Sequence, residues 1–175
     1  TGLKWTGAAI WDAAILLSEY LAKNHGLLKG KNVLELGSGH GLVSVVCARF
    51  GARKVTATDY DERVLKLARD NVKSNLQEDS ITQCIEVKQL GWGTSDLQTF
   101  EKFSFDLIVG SDVVYNKELF KPLIETIEAL LSSSGILVLA YKPRGLEEEK
   151  FFFWLKKKFQ QIATISSAEL DSAFV

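Results

Sequence analysis

Residues 32–41, Asn-Val-Leu-Glu-Leu-Gly-Ser-Gly-His-Gly, constrain this chain more than any other stretch. Val33 to Leu36 reads as a short buried strand, Gly37, Gly39 and Gly41 as a turn, and Leu42 to Phe50 as the helix leaving it. Glycine at such a turn permits positive φ and lets a ligand approach backbone that a Cβ would cover. Lys54 to Thr58 reads as the next parallel strand, with Asp59 at its carboxyl end. In an open α/β sheet that end is where ligands sit, and an acid there can accept both hydroxyls of a ribose. Strand, glycine turn, helix, strand and acid in register predict a site for a nucleoside-type cofactor.

Charge narrows the choice of cofactor. A pyrophosphate wants a helix N-terminus free of carboxylates. Glu35 lies two residues before the first glycine, where it would repel phosphate. S-adenosylmethionine carries an ammonium and a sulfonium instead, and a carboxylate suits both. The spacing is also GxGxG, not the GxGxxG of the dinucleotide fingerprint. S-adenosylmethionine is therefore expected over NAD, with S-adenosylhomocysteine as its product. The alternative for Glu35 is an acid satisfied by backbone amides of the turn.

The rest of the chain alternates helices and strands. Gly7 to Asn24 reads as a helix with Ile10, Ala14, Leu17 and Leu21 on one face, and Trp11 near its start either packs in the core or walls the cofactor pocket. Asp61 caps a helix running to Asn75. Gln83 to Leu90 reads as a third strand, ending in Gly91-Trp92-Gly93, where the tryptophan either closes the core or lies against an adenine ring. Phe103 to Val109 is a fourth strand leading into Gly110-Ser111-Asp112-Val113-Val114-Tyr115, followed by a helix from Asn116 or Lys117 through Leu131. Gly135 to Tyr141 is a continuous apolar run, read as a fifth strand buried on both faces. Leu146 to Phe159 is an amphipathic helix, with Lys156 to Lys158 its solvated end, and Ile162 to Ile165 a sixth strand. Such alternation implies right-handed βαβ crossovers and a doubly wound, mostly parallel sheet. With no repeats and no low-complexity linker, residues 1–175 are expected to form a single domain, the segment 1–30 packing on it.

Composition excludes several classes. With 46% hydrophobic and 25% charged residues the chain is an ordinary globular domain, and a net charge of −1 gives no electrostatic case for nucleic acid. Cys47 and Cys84 lack metal-ligand spacing and read as reduced thiols, so no metal site is expected. No apolar run approaches the ~20 residues needed to span a bilayer. A cytoplasmic or nuclear protein without membrane contact is the default expectation, and a monomer is expected. The chain starts at Thr1 and has no methionine, as expected of a piece of a longer protein.

Four stretches together carry a resemblance. Gly7-Ala8-Ala9-Ile10-Trp11-Asp12-Ala13-Ala14, Glu35-Leu36-Gly37-Ser38-Gly39, Leu90-Gly91-Trp92-Gly93 and Ser111-Asp112-Val113-Val114-Tyr115 resemble the family 16 methyltransferases. These are methyltransferase-like protein-lysine N-methyltransferases with a D-x-x-Y motif after the fourth strand. The resemblance covers roughly Gly7 to Arg144. It implies the Rossmann-like, seven-stranded class I methyltransferase fold, in which the last strand is truncated or absent here because Asp171 to Val175 offers at most its beginning. It also implies that Trp11, Gly37, Ser38, Gly39, Asp59, Trp92 and Ser111 line the cofactor site beside Glu35, and that Asp112 and Tyr115 face the substrate. Family members modify chaperones and translation elongation factors, so a protein substrate of that type is implied.

The residue types suit the chemistry. Transfer from a sulfonium needs a neutral amine held ~3 Å from the methyl carbon, in line with sulfur. Free lysine, with a pKa near 10.4, is almost wholly protonated at neutral pH, and an apolar pocket beside a cationic cofactor favours loss of that proton. Asp112 would orient the amine or its backbone, and Tyr115 would offer a ring face to the lysine stem. The alternatives are a helix cap for Asp112 and simple packing for Tyr115. The motif is also similar to the N/D-P-P-Y loop of enzymes that methylate planar nitrogens, with Val113 and Val114 in place of the prolines. A small-molecule or planar-nitrogen methyltransferase and a non-catalytic cofactor-binding module are the rival readings.

Overall fold

The computed structural model describes residues 11–76, 83–145, 147–159 and 161–166. Helix α1 (Asp12–Lys23) precedes β1 (Asn32–Leu36), α2 (Leu42–Arg49), β2 (Lys54–Asp59) and α3 (Glu62–Asn75). The order continues with β3 (Ile85–Gln89), β4 (Phe105–Ser111), α4 (Phe120–Leu130), β5 (Leu131–Ala140) and α5 (Glu148–Lys156). The strands form one sheet in the order β3-β2-β1-β4-β5, and every pairing is parallel. Glu35 in β1 sits opposite Ala57 of β2 and Val109 of β4. The chain therefore reverses its winding between β1 and β4, and the crevice of such a sheet opens at the carboxyl ends of those strands.

Side chains alternate across the sheet with the period of two that a pleated strand imposes. Val33, Val55, Leu107 and Val109 pack with α1 and α2, together with Val72 of α3. Leu34, Leu36 and Ile108 pack on the opposite face with Phe120, Leu123 and Ile127 of α4 and Phe151 and Leu155 of α5. α3 buries Val64, Leu65, Ala68 and Val72, and its cap is the expected one, since the Asp61 side chain accepts the Arg63 amide. Ile10 and the rest of residues 7–10 lie outside the described residues; within α1, Ala13, Leu17 and Leu21 are buried.

Two expectations are corrected. β5 begins at Leu131, not Gly135, with an irregular register opposite Phe105–Leu107, and it is not buried on both faces. It is an edge strand of the sheet among the described residues, as β3 is at the other end, and Ile136 is 46% exposed. An apolar run reports hydrophobicity, whereas burial also needs a neighbour on each side. Ile162 to Ile165 is not a strand: residues 161–166 form no ladder, and Ile162 and Ile165 are exposed. Asp171 to Val175 lies outside the described residues.

Candidate active site

At the carboxyl ends of β1, β2 and β4 lies a cavity of about 740 Å³, lined by Trp11, Glu35, Gly37, Ser38, Gly39, Asp59, Trp92, Ser111, Asp112 and Tyr115 among others. The site residues expected from sequence thus converge, although they come from five separated segments.

The floor is made by the glycine turn. Gly37 has φ +63°, and a Cβ there would stand 3.1 Å from Val113 Cγ1 and 3.7 Å from the Trp92 ring, so the conformation favours glycine and a side chain would press on Val113. The Ser38 amide donates to Thr58 O at 2.7 Å, stitching the turn to β2. Asp59, 8% exposed, receives the Gly39 amide at Oδ2 (3.3 Å) and the Asp61 amide at Oδ1 (3.2 Å). Burial raises its carboxyl above the ordinary aspartate range, and those amides oppose the rise. Each oxygen keeps a further lone pair for a ligand hydroxyl. Ser38 Oγ is buried and has no hydrogen-bond partner among the described residues. An orphaned hydroxyl of this kind calls for a ligand or a water.

Glu35 is 1% exposed. Its Oε2 accepts the Ser44 amide at 2.9 Å and also the Ser44 hydroxyl, both from the first turn of α2. Burial pushes this carboxyl up to about 8; the Ser44 hydrogen bonds pull against that, and the Asp59 charge adds to it. Backbone satisfaction and cavity lining, treated as alternatives from sequence, therefore hold together. The amide comes from the helix and not from the turn.

The mouth is made by the loops after β4 and β5. Asp112 has φ +52°, a conformation that aspartate adopts more readily than most residues, and its amide donates to Ala140 O at 2.8 Å. Its carboxylate does not cap the following helix. Asn116 caps the short 3-10 turn Lys117–Leu119 that leads into α4, accepting the Glu118 amide at 3.0 Å. Asp112 Oδ1 accepts the Lys142 amide and Oδ2 accepts from the Arg144 guanidinium, each at 3.2 Å. Tyr115 is half-buried, and burial first, then Tyr60 and Asp59, push its phenol up. Trp92 packs against the α4–α5 core cluster and also lines the cavity, combining its two readings. Trp11, 39% exposed at the N-cap position of α1, has the Arg144 guanidinium carbon 5.3 Å from its ring centroid.

Arg144 was not singled out by the sequence reading. Its signal is positional: it follows β5 as Asp112 follows β4, and parallel pairing of those strands brings the two loops together. Among the described residues no helix is long and apolar enough to cross a membrane.

Comparison with known proteins agrees with this geometry. Residues 2–158 match the family model described as lysine methyltransferase. The Mus musculus protein N-lysine methyltransferase METTL21A is 37% identical over 164 residues, 94% of this chain and 72% of that protein. Protein-lysine N-methyltransferase EFM3 of Chaetomium thermophilum is 38% identical over 156 residues, 84% of this chain and 46% of that one. Among solved structures, the Trypanosoma brucei PRMT1 enzyme–prozyme complex with AdoHcy superposes with a TM-score of 0.58 at 23% identity, covering 71% of this chain and 38% of that one. At that identity the likeness shows the shared Rossmann-like fold.

Proposed function

The chain belongs to the lysine methyltransferase family whose model spans residues 2–158, and from that premise we propose that it methylates a lysine side chain of a protein using S-adenosylmethionine. The observation that carries this reading is the convergence in one cavity of a floor suited to a cationic nucleoside and a mouth holding Asp112 and Tyr115.

The residues present fit S-adenosylmethionine. A bound cation would favour the ionised form of the buried Glu35 carboxyl and take it as a partner, Asp59 retains lone pairs for ribose hydroxyls, and the orphaned Ser38 hydroxyl awaits a polar contact. Gly37 and Gly39, both at positive φ, keep the floor open, while Trp11, Trp92 and Ser111 would complete the cofactor contacts. When bound, this cofactor supplies a sulfonium-activated methyl group. The chain's own task is to align a neutral amine with it. Asp112 would accept a hydrogen bond from the target amine and fix its direction, and the Tyr115 ring would pack on the lysine stem. The first acceptors to test are cytosolic chaperones and translation elongation factors.

The test is transfer of radiolabelled methyl from S-adenosylmethionine into a cell extract, resolved by gel and amino-acid analysis, with an Asp112→Ala control. A discrete band yielding methyl-lysine is expected, and the variant should lose at least 100-fold of the rate while binding cofactor within a few-fold of wild type. No labelled protein, despite calorimetric cofactor binding, would move the activity to small molecules or to a silent binding role. Equal loss of binding and turnover would assign Asp112 to the cofactor site.

A further inference from the structure

Asp112 is the carboxylate that the proposed reaction sets beside the target amine, yet both of its oxygens are engaged by the loop after β5. Oδ1 accepts the Lys142 amide, and Oδ2 accepts from Arg144 Nη2 at 3.2 Å. Arg144 is held from two further sides. Its amide donates to Oε1 of the buried Glu148 at 2.6 Å, and its guanidinium lies over the Trp11 ring. The Arg144 side chain is 36% exposed and that of Asp112 only 11%, so the carboxylate is the more buried partner of a pair standing at the cavity mouth.

An unpaired carboxylate at this position would work against the reaction. The target lysine attacks only as a neutral amine, and an anion within about 4–6 Å favours the ammonium, typically by 1–3 pKa units. From a free value near 10.4, that shift moves the amine further from reactivity at neutral pH. A guanidinium is the counter-ion that removes the difficulty at every working pH, because it does not lose its proton.

We infer that Arg144 is the counter-ion of Asp112, neutralising the carboxylate so that it can accept a hydrogen bond from the target amine without trapping that amine as an ammonium. Arg144 is thus a positioning residue that acts through Asp112. The inference rests on the methyltransferase reading of the same site.

No other cation described around the cavity takes this part. Arg63, at the start of α3, is paired with Asp61 at 2.5 Å. The Lys142 side chain lines the outer groove between α1 and β5, as does Asp12 of α1. Across the cavity, Glu35 of β1 and Asp59 of β2 add acid, while His40 and the phenols of Tyr60 and Tyr115 complete the titratable lining. Glu148, at the start of α5, takes the Arg144 amide and adds a further acid beside it.

The test compares wild type, Arg144→Gln and Arg144→Lys between pH 6.5 and 9.5. The acceptor is the extract protein that wild type labels, held at saturation so that the rate follows kcat, whose pH profile reports ionisation in the bound complex. For Arg144→Gln the rising limb of the profile should move up by about one pH unit, a roughly tenfold loss at pH 7.5 that shrinks only above the pKa of the bound amine. Arg144→Lys, which keeps the charge, should hold the limb near wild type, and calorimetric cofactor affinity should stay within a few-fold for both. An unchanged rate, or a shift in Arg144→Lys as large as in Arg144→Gln, would each overturn the inference. Labelling that depends on Asp112 while the Arg144→Gln limb stays put removes this inference and leaves the methyltransferase reading standing. A wild type that labels no protein removes both.

Discussion

Floor and mouth of the cavity are held together by different means. At the floor the ties are amides: Ser38 to Thr58 O, and Gly39 and Asp61 to the Asp59 carboxylate, between strands β1 and β2 whose side chains are almost all buried. At the mouth the ties are Asp112 to Arg144, Arg144 over Trp11, and a strand β5 that is only half-covered. A main-chain framework is ordered before a ligand arrives, so binding loses little entropy in arranging it. A single ion pair with a partly exposed arginine contributes at most ~1 kcal/mol, so the loops it ties can still adjust around an incoming group. The floor is thereby suited to hold a cofactor in one pose, and the mouth to admit a protein side chain. Variants that disturb the floor should lose cofactor binding, whereas variants at the mouth should lose turnover alone.

Gly37→Val should separate the two regions most sharply. A left-handed backbone costs a side-chain-bearing residue about 1–2 kcal/mol, and a branched Cβ must also push Val113 out of the core cluster it belongs to. Calorimetry should find cofactor affinity reduced more than 100-fold, and Tm should fall by about 4–8 °C for ~2 kcal/mol in a domain of this size. Retained affinity would mean that the turn does not form the binding floor.

Glu35 gives the next largest effect, and one with a sign. Folding raises its carboxyl from 4.5 to about 8, chiefly by burial. Between those values the folded chain holds a proton that the unfolded chain releases. The contribution of this group to stability is then fully present below about pH 4.5 and is lost as pH rises towards 8. The loss is on the order of 3–5 kcal/mol. Glu35→Gln keeps an acceptor for Ser44 and removes the titration. Its Tm should therefore gain steadily on wild type from pH 5.5 to 8, in thermal unfolding without cofactor. Parallel curves would show that Glu35 is ionised throughout, and that the floor carries a fixed charge.

The same contrast explains what could be read from the sequence. The floor is local in the chain: glycines at fixed spacing, an acid two residues before them and another at the end of the next strand place Gly37, Glu35 and Asp59 without knowledge of distant contacts. Asp61 as a helix cap is equally local. The mouth depends on which strands are neighbours. That Arg144 reaches Asp112, 32 residues away, follows only once β4 and β5 pair in parallel. The left-handed backbone of Asp112 leaves no mark on residue choice, because aspartate also suits caps and turns. Ser44 reaching back to Glu35 was hidden for a similar reason, since helical spacing gives a residue's face but not the strand beneath it. The apolar run of β5 does not say how many neighbours cover it.

Asp59→Ala is the smallest of these effects and the most specific. The aspartate receives two main-chain amides, from Gly39 and Asp61, so alanine removes two interactions that help fix the turn as well as those expected with ribose hydroxyls. The Ser38 amide bond to Thr58 O remains, and so does the positive φ that glycine favours at position 37. The turn should therefore persist, and the loss should be mostly that of charge-assisted hydrogen bonds to the ligand, about 1–3 kcal/mol of cofactor affinity. That is roughly 5- to 150-fold by titration calorimetry. Burial already opposes ionisation of this carboxyl, so the Tm of the cofactor-free protein should change little or rise slightly. Unchanged affinity would remove Asp59 from the cofactor contacts. Lost turnover at saturating cofactor would show that floor and mouth are coupled, and that the division between them is one of construction and not of function.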